Sequence, residues 1–355
     1  MKHLIFTISM LLCAVINAMP QTKQVDADNA NIRYEGRVNF TDAKAPSMGY
    51  PGTSINACFT GTSIALKMKP GSGYFMVGID DKDFHKIYFG ETDSVITVAT
   101  GLTPGRHTIK AMLVNEQYEQ HSVFTGFIID EDAELLDMGK DNRTLIEFIG
   151  DSMTCGYGTE ASDWTIRYSP SNSNFYYTFG AIIARELDMR LTVVARSGIG
   201  AYRNYNGKDD GGIMPQWYDY TLIYDDSQLW DTTGNVPDIL CIDLGTNDFS
   251  TTGWDAELYR QGYEKFVRHL RSLYPETKII ILSGCMLNGE QLELQNAALN
   301  QIYNTLKSEG DNNIYRFDFT PQDGSLGYGA DYHPSKAQHR KMANELIPFL
   351  RTLQK

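Results

Sequence analysis

Between residues 131 and 143 the sequence stops reading as strands and turns and starts to alternate strand with helix. One layered architecture does not serve both patterns, so the chain divides there. Upstream, from about residue 30, "SINACFTGTSIALKMKP" and "YFMVGIDDKDFHKIYFG" each hold two β-type runs broken by a turn, and "SVITVAT", "GRHTIKAMLVN" and "SVFTGFIID" follow. Short strands at regular spacing with no helical period predict an antiparallel β-sandwich or jelly roll. Asp80, Asp81 and Asp83 sit between two such runs and read as a polar hairpin turn rather than a calcium site.

Downstream, "TLIEFIG", "RLTVVARSG", "PDILCIDLG", "KIIILSG" and "NIYRFDF" are near-continuous apolar strands. Between and after them lie helical patterns. Phe175, Phe179, Ile182, Ile183 and Leu187 make one stripe, Tyr263, Phe266, Val267 and Leu270 another, and Ser335 caps the last helix. Strands apolar on both faces belong to a parallel sheet covered on both sides, so the fold class is α/β: a doubly wound parallel-sheet domain preceded by an antiparallel sandwich. The expected organisation is a signal peptide over 1–18, a β-sandwich over 30–131, a linker over 132–143 and the α/β domain over 144–355.

The signal reading rests on Met1-Lys2-His3, the apolar run from Leu4 to Ile16 and small Ala18, and it implies a secreted or periplasmic protein. The run is too short for a membrane span, and Leu11 and Leu12 before Cys13 make a poor lipoprotein signal. A formal net charge of -13 without a basic cluster argues against nucleic acid and anionic membranes as partners. Cys58, Cys155, Cys241 and Cys285 have no zinc spacing and read as small buried hydrophobes, with disulfide pairing left open.

In a doubly wound sheet, ligands bind beyond the carboxyl ends of the strands. Four polar stretches fall there: Gly150-Asp151-Ser152, Ser197-Gly198-Ile199-Gly200, Gly245-Thr246-Asn247-Asp248 and, before the last helix, Asp331-Tyr332-His333-Pro334. Each is ordinary alone. Together they supply the parts of acyl transfer. Ser152 is the nucleophile and His333 its general base. The N–H of Ser152, the N–H of Gly198 and the amide of Asn247 form the oxyanion hole, with Gly200 as the rival to Gly198. This chemistry needs no cofactor, and no metal motif is visible. Tyr332, Tyr202 or Tyr205, and Trp217 are candidates to meet a sugar ring, or simply to pack.

These four blocks, in this order over 144–355, resemble the signatures of the SGNH (GDSL-type) hydrolase superfamily. The whole chain, with its sandwich and its "GADYHPS", "SGIGAYRNYNG" and "GGIMPQWYDYTL" stretches, is similar to carbohydrate esterase family 2. That resemblance implies a secreted serine esterase that removes O-acetyl groups from plant polysaccharides such as xylan and mannan, often at the 6-O position. A peptidoglycan O-acetyl esterase, a short-chain lipase, or a glycan-binding protein with a decayed site are the alternatives. One position departs from the superfamily: the residue three before the histidine, usually aspartate, is Ala330. Asp331, two before it, is the alternative third member, while the resemblance to family 2 implies a Ser-His dyad in which a main-chain carbonyl orients the imidazole.

Overall fold

In the computed structural model, residues 21–208 and 211–353 are described; the expected signal peptide and Cys13 lie outside them. The first half forms two antiparallel sheets. One orders Thr22–Asp26, Ser122–Asp130, Ile64–Met68 and Val95–Ala99. The other orders Leu135–Leu136, Ser54–Gly61, Gly105–Leu113, Gly73–Ile79 and Lys82–Phe89. Phe59, Leu66, Phe75, Val77, Phe89, Ile109, Leu113, Phe124 and Phe127 fill the space between them. At the hairpin between Gly73–Ile79 and Lys82–Phe89, Asp80 and Asp81 take φ +53° and +56°. Two consecutive left-handed residues match the twist of a tight hairpin, and a short polar side chain tolerates that region best.

The second half is a parallel sheet of five strands, taken here in chain order: Leu145–Gly150, Arg190–Ala195, Ile239–Asp243, Lys278–Ser283 and Ile314–Asp318. They lie side by side as second, first, third, fourth, fifth. The order reverses between the first and third strands, which is where a doubly wound sheet opens a crevice. Gly150 pairs with Ala195 on one side and Asp243 on the other, so the turns after these three strands emerge together.

Helices Phe179–Glu186 and Lys336–Leu353 cover one face, and Ala256–Leu273 and Gly289–Ser308 the other, each face with its own apolar core. The helix expected to include Phe175 starts at Phe179 instead, because extended Thr178 caps it by accepting the Ala181 N–H. Ser335 caps the last helix through the Gln338 N–H, as expected.

The two halves share a core. Strand alternation sends Phe75 and Val77 into the sandwich, while Tyr74 and Met76 face the parallel-sheet half. Met76, Met112 and Val114 pack there with Phe148, Phe175 and Phe179. Each such side chain stabilises by roughly 1.5–3 kcal/mol when fully buried. Arg37 of the first half is wholly buried and donates to the Tyr218 and Tyr220 carbonyls, with Glu147 of the first parallel strand 3.9 Å away. All four described cysteines are buried and free. Among the described residues no helix is long and apolar enough to cross a membrane.

Candidate active site

The first parallel strand ends in a turn with little room. A Cβ on Gly150 would lie 2.0 Å from Thr154 Oγ1, so glycine is required there. Asp151 then caps the single helical turn Ser152–Cys155, its Oδ1 accepting the Met153 N–H at 3.0 Å. Ser152 is the first residue of that turn, so its own N–H has no helical acceptor.

His333 comes from 181 residues further on and sets Nε2 2.8 Å from Ser152 Oγ. Its Nδ1 lies 3.1 Å from the Ala330 carbonyl, which also accepts the His333 N–H at 2.9 Å. A carbonyl only accepts, so Nδ1 carries the proton and Nε2 is the free base facing the serine. Tyr157 stacks on the imidazole at 4.0 Å and Tyr168 on Tyr157 at 4.4 Å. Loss of solvation lowers the His333 pKa to about 4, against the opposing pull of the Ala330 carbonyl.

The side chain of Asp331 is not among the imidazole's hydrogen-bond partners. Its carboxylate accepts from Arg167 (2.8 Å), the Tyr157 hydroxyl (2.9 Å) and the Tyr168 N–H (3.1 Å). Burial would raise its pKa, but these donors outweigh it and hold the carboxyl below its ordinary value. An extended "GADYHP" segment would put Asp331 and His333 on one face. The segment is coiled instead: Asp331 and Tyr332 take φ +49° and +65°, which turns the Asp331 side chain toward Arg167. At the position where the superfamily pattern has its acid, Ala330 is fully buried against Gly158.

Backbone accounting separates the two glycine candidates. The Ser197 N–H goes to Glu116 Oε1 (2.6 Å), Ile199 to the Arg196 carbonyl (3.3 Å) and Gly200 to Asn204 Oδ1 (3.1 Å). Those of Ala201, Tyr202 and Arg203 go to Asp248 Oδ1 at 2.9, 2.8 and 3.2 Å. Among the described residues the Gly198 N–H alone in this run has no acceptor. At φ +82°, with only the Tyr205 Cβ (3.8 Å) near where a side chain would start, Gly198 is also the residue a carbonyl can approach.

Asn247 Nδ2 donates to the Ile199 carbonyl at 2.8 Å and to Asp151 Oδ2 at 3.2 Å. The longer bond is the one it can share with an incoming oxyanion. Asp151 is fully buried, and its pKa is raised well above the carboxylate range by burial and then by Asp243. The pKa of Asp243 is raised as well, by its own burial.

Of the aromatic candidates, Tyr332 is 50% exposed and stacks at 4.7 Å, nearly parallel, on Trp164, itself 46% exposed. Sequence reasoning missed Trp164; its only signal was a large aromatic inside the polar stretch "ASDWTIRYSPSNSN". Tyr202 turns into the core, its hydroxyl accepting the Asp255 N–H, whereas exposed Tyr205 borders Gly198. Trp217 is half-buried against Tyr220 and Tyr224 and donates to the Gly211 carbonyl. Glu116 was also missed. Among the described residues no three His, Cys, Asp or Glu side chains gather as metal ligands would.

Residues 34–138 match the family model described as Carbohydrate esterase 2 N-terminal, and residues 146–346 match GDSL-like Lipase/Acylhydrolase. A cellulase/esterase CelE from Acetivibrio thermocellus is 35% identical over 322 residues, 90% of this chain, and the match spans only 39% of that relative's length. An acetylxylan esterase / glucomannan deacetylase of Cellvibrio japonicus is 28% identical over 99% of this chain and 97% of its own. The solved structure of a family two carbohydrate esterase from Clostridium thermocellum in complex with cellohexaose superimposes with a TM-score of 0.86, at 34% identity, over 90% of this chain and 98% of that one.

Proposed function

The chain belongs to family two of the carbohydrate esterases, with a GDSL-like acylhydrolase domain, and from that premise we propose that it is an exported serine esterase that removes O-acetyl groups from plant cell-wall polysaccharides. The observation that carries this reading is the Ser152–His333 hydrogen bond of 2.8 Å, at the end of a strand whose neighbour leads into the turn of Gly198. The proposed organisation keeps the signal peptide at 1–18, the sandwich at 30–131, the linker at 132–143 and the hydrolase domain at 144–355.

Ser152 Oγ attacks the acetyl carbonyl carbon as its proton passes to His333 Nε2. The negative charge that develops on the carbonyl oxygen is met by the N–H groups of Ser152 and Gly198 and the amide of Asn247. The C–O bond to the sugar breaks, and His333 returns the proton to the departing sugar hydroxyl. Water, deprotonated by the same imidazole, then attacks the acetyl carbon; the bond to Ser152 Oγ breaks, His333 returns the proton to Oγ, and acetate leaves. Asp331 takes no part in proton transfer. The exposed Trp164–Tyr332 pair next to His333 offers a flat apolar surface of the kind a sugar ring stacks on. The names of the curated relatives support acetylated xylan or glucomannan as the polymer. A preference for the primary 6-O position is part of the proposal.

The test is acetate release from acetylated xylan, glucomannan and peptidoglycan, resolved by hydroxyl position. Release from the first two, fastest at O6 of the hexose units, is expected. Release from peptidoglycan alone, or turnover confined to short-chain lipid esters, would overturn the substrate assignment.

A further inference from the structure

Gly198 has no side chain to hold its peptide, and an oxyanion donor works only if its N–H is already aimed. The peptide carrying that N–H lies between two anchored planes. After it, the Gly198 carbonyl accepts the Tyr205 N–H at 2.8 Å. Before it, Ser197 is gripped by both oxygens of one carboxylate: Glu116 Oε1 accepts the Ser197 N–H at 2.6 Å and Oε2 accepts the Ser197 hydroxyl at 2.5 Å. Peptide units are planar, so anchoring both neighbours leaves only a small crankshaft rotation about Ser197 ψ and Gly198 φ.

Glu116 does not belong to the hydrolase half. It follows the sandwich strand Gly105–Leu113, in a loop fixed by Val114 N–H to the Tyr74 carbonyl (2.9 Å) and Gln117 N–H to the Gly49 carbonyl (3.1 Å). The Tyr118 hydroxyl lies 2.8 Å from Glu116 Oε1 and 2.5 Å from the carbonyl of Ala195, the last residue of the second parallel strand. The loop therefore holds the entry to the Ser197–Gly198 turn at two points.

We propose that Glu116 is a positioning residue that aims the Gly198 N–H at the oxyanion, so that the sandwich supplies part of the catalytic geometry. This rests on the acyl-transfer reading of Ser152, His333 and Gly198. A misplacement of about 1 Å can cost roughly 10²-fold in rate, and loss of one oxyanion donor roughly 10²–10³-fold. A loosened but present donor belongs at the lower end of that range.

The experiment uses the full chain and an activated acetate ester, with folding followed by circular dichroism. Three readouts are taken: kcat, KM, and affinity for an alkyl boronic acid, whose tetrahedral adduct on the serine puts an oxygen where the oxyanion sits. Glu116→Ala is expected to lower kcat by about 10- to 100-fold with KM within about twofold, and to weaken the boronate by a similar factor. Glu116→Asp keeps the charge but withdraws the reach, and is expected to lose about tenfold in kcat. Glu116→Gln can still accept the Ser197 N–H and donate to its hydroxyl, and is expected to stay within about fivefold of the parent.

A folded Glu116→Ala with kcat within twofold of the parent, a loss that falls on KM, or unchanged boronate affinity would overturn the proposal. So would parental kcat in the Asp variant beside a Gln variant as poor as alanine, since charge and not geometry would then be at work. Should the alanine variant fail to fold, the aspartate variant decides alone: parental kcat there overturns the proposal. Ser152→Ala runs alongside, and turnover surviving in it would sink the acyl-transfer reading instead.

Discussion

The turn that carries Ser152 and the turn that carries His333 each bring an aspartate close in sequence to the reactive residue, and the two carboxyls meet different fates. Asp151 is fully buried, caps a helical turn, touches Asn247 and has its pKa driven up. Asp331 is half-buried, bound by Arg167, Tyr157 and the Tyr168 N–H, and has its pKa drawn down. Neither is the acceptor for the imidazole; that is the Ala330 carbonyl. An acid near a catalytic histidine in sequence becomes a triad member only if the backbone between them aims it there. Two consecutive left-handed residues aim this one elsewhere.

The largest expected effects test the pair that the two turns bring together. Ser152→Ala and His333→Ala should each cut kcat by about 10⁴-fold or more, and the double variant should be little worse, because the two residues act as one unit. Additive losses in the double variant would break the pairing of the turns. Next is Asn247→Ala, with an expected loss of about 10²-fold in kcat and little change in KM, as for removal of one oxyanion donor. A change confined to KM would make Asn247 a substrate contact and leave Asp151 without a catalytic neighbour to orient.

Asp331→Ala should cost tenfold or less in kcat, about 1.4 kcal/mol of transition-state stabilisation. The hydrogen bond that fixes the imidazole tautomer goes to a main-chain carbonyl and survives the substitution. What is lost is the anchor of a strained turn, so thermal stability should drop more clearly than rate. A kcat as low as that of His333→Ala, with the fold intact, would restore Asp331 as the triad acid.

The smallest expected effect is in the pH profile. His333 acts as a base when neutral, and its pKa is lowered to about 4, so activity is kept as pH falls until about that value. Between pH 8 and pH 5, kcat/KM on an activated ester should change by less than about twofold, whereas an imidazole at the ordinary value of about 6.5 would lose roughly 30-fold by pH 5. A limb near 6.5 would mean that the desolvated His333 environment is absent in solution. Stability moves differently. The unfolded chain takes up this proton from about pH 6.5 downward while the fold does not, so stability is lost progressively below that pH, and circular dichroism must accompany the rate measurements.

Much of this architecture was legible in the residues. Apolar strands without alternation implied a doubly covered parallel sheet, and the strand-and-turn half implied a sandwich. The start of the helix at Phe179 was missed because a stripe from Phe175 onward looks helical whether or not Thr178 breaks it. The hairpin Tyr220–Leu222 and Asp225–Leu229 was not foreseen either, since its two strands are short and largely polar. Ser152, Gly198, Asn247 and His333 were singled out because each lies where a strand ends or just before a helix opens, where turn chemistry is local. Glu116 left no such mark: it is one acid in "VNEQYEQ", 81 residues from Ser197.

By itself, then, the sequence determined what depends on near neighbours: strand and helix periods, the cap at Ser335, and which short polar stretches fall at strand ends. The tertiary structure alone decided which of those stretches meet. Sheet order brings the turns after the first, second and third strands to one edge, and the turn before the last helix carries His333 to Ser152 across 181 residues. It also decided that Ala330 and not Asp331 serves the imidazole, that Gly198 and not Gly200 keeps a free N–H, and that a sandwich carboxylate grips Ser197. The physical reason is that a hydrogen bond is directional over about 3 Å, whereas sequence patterns record only burial and local backbone preference.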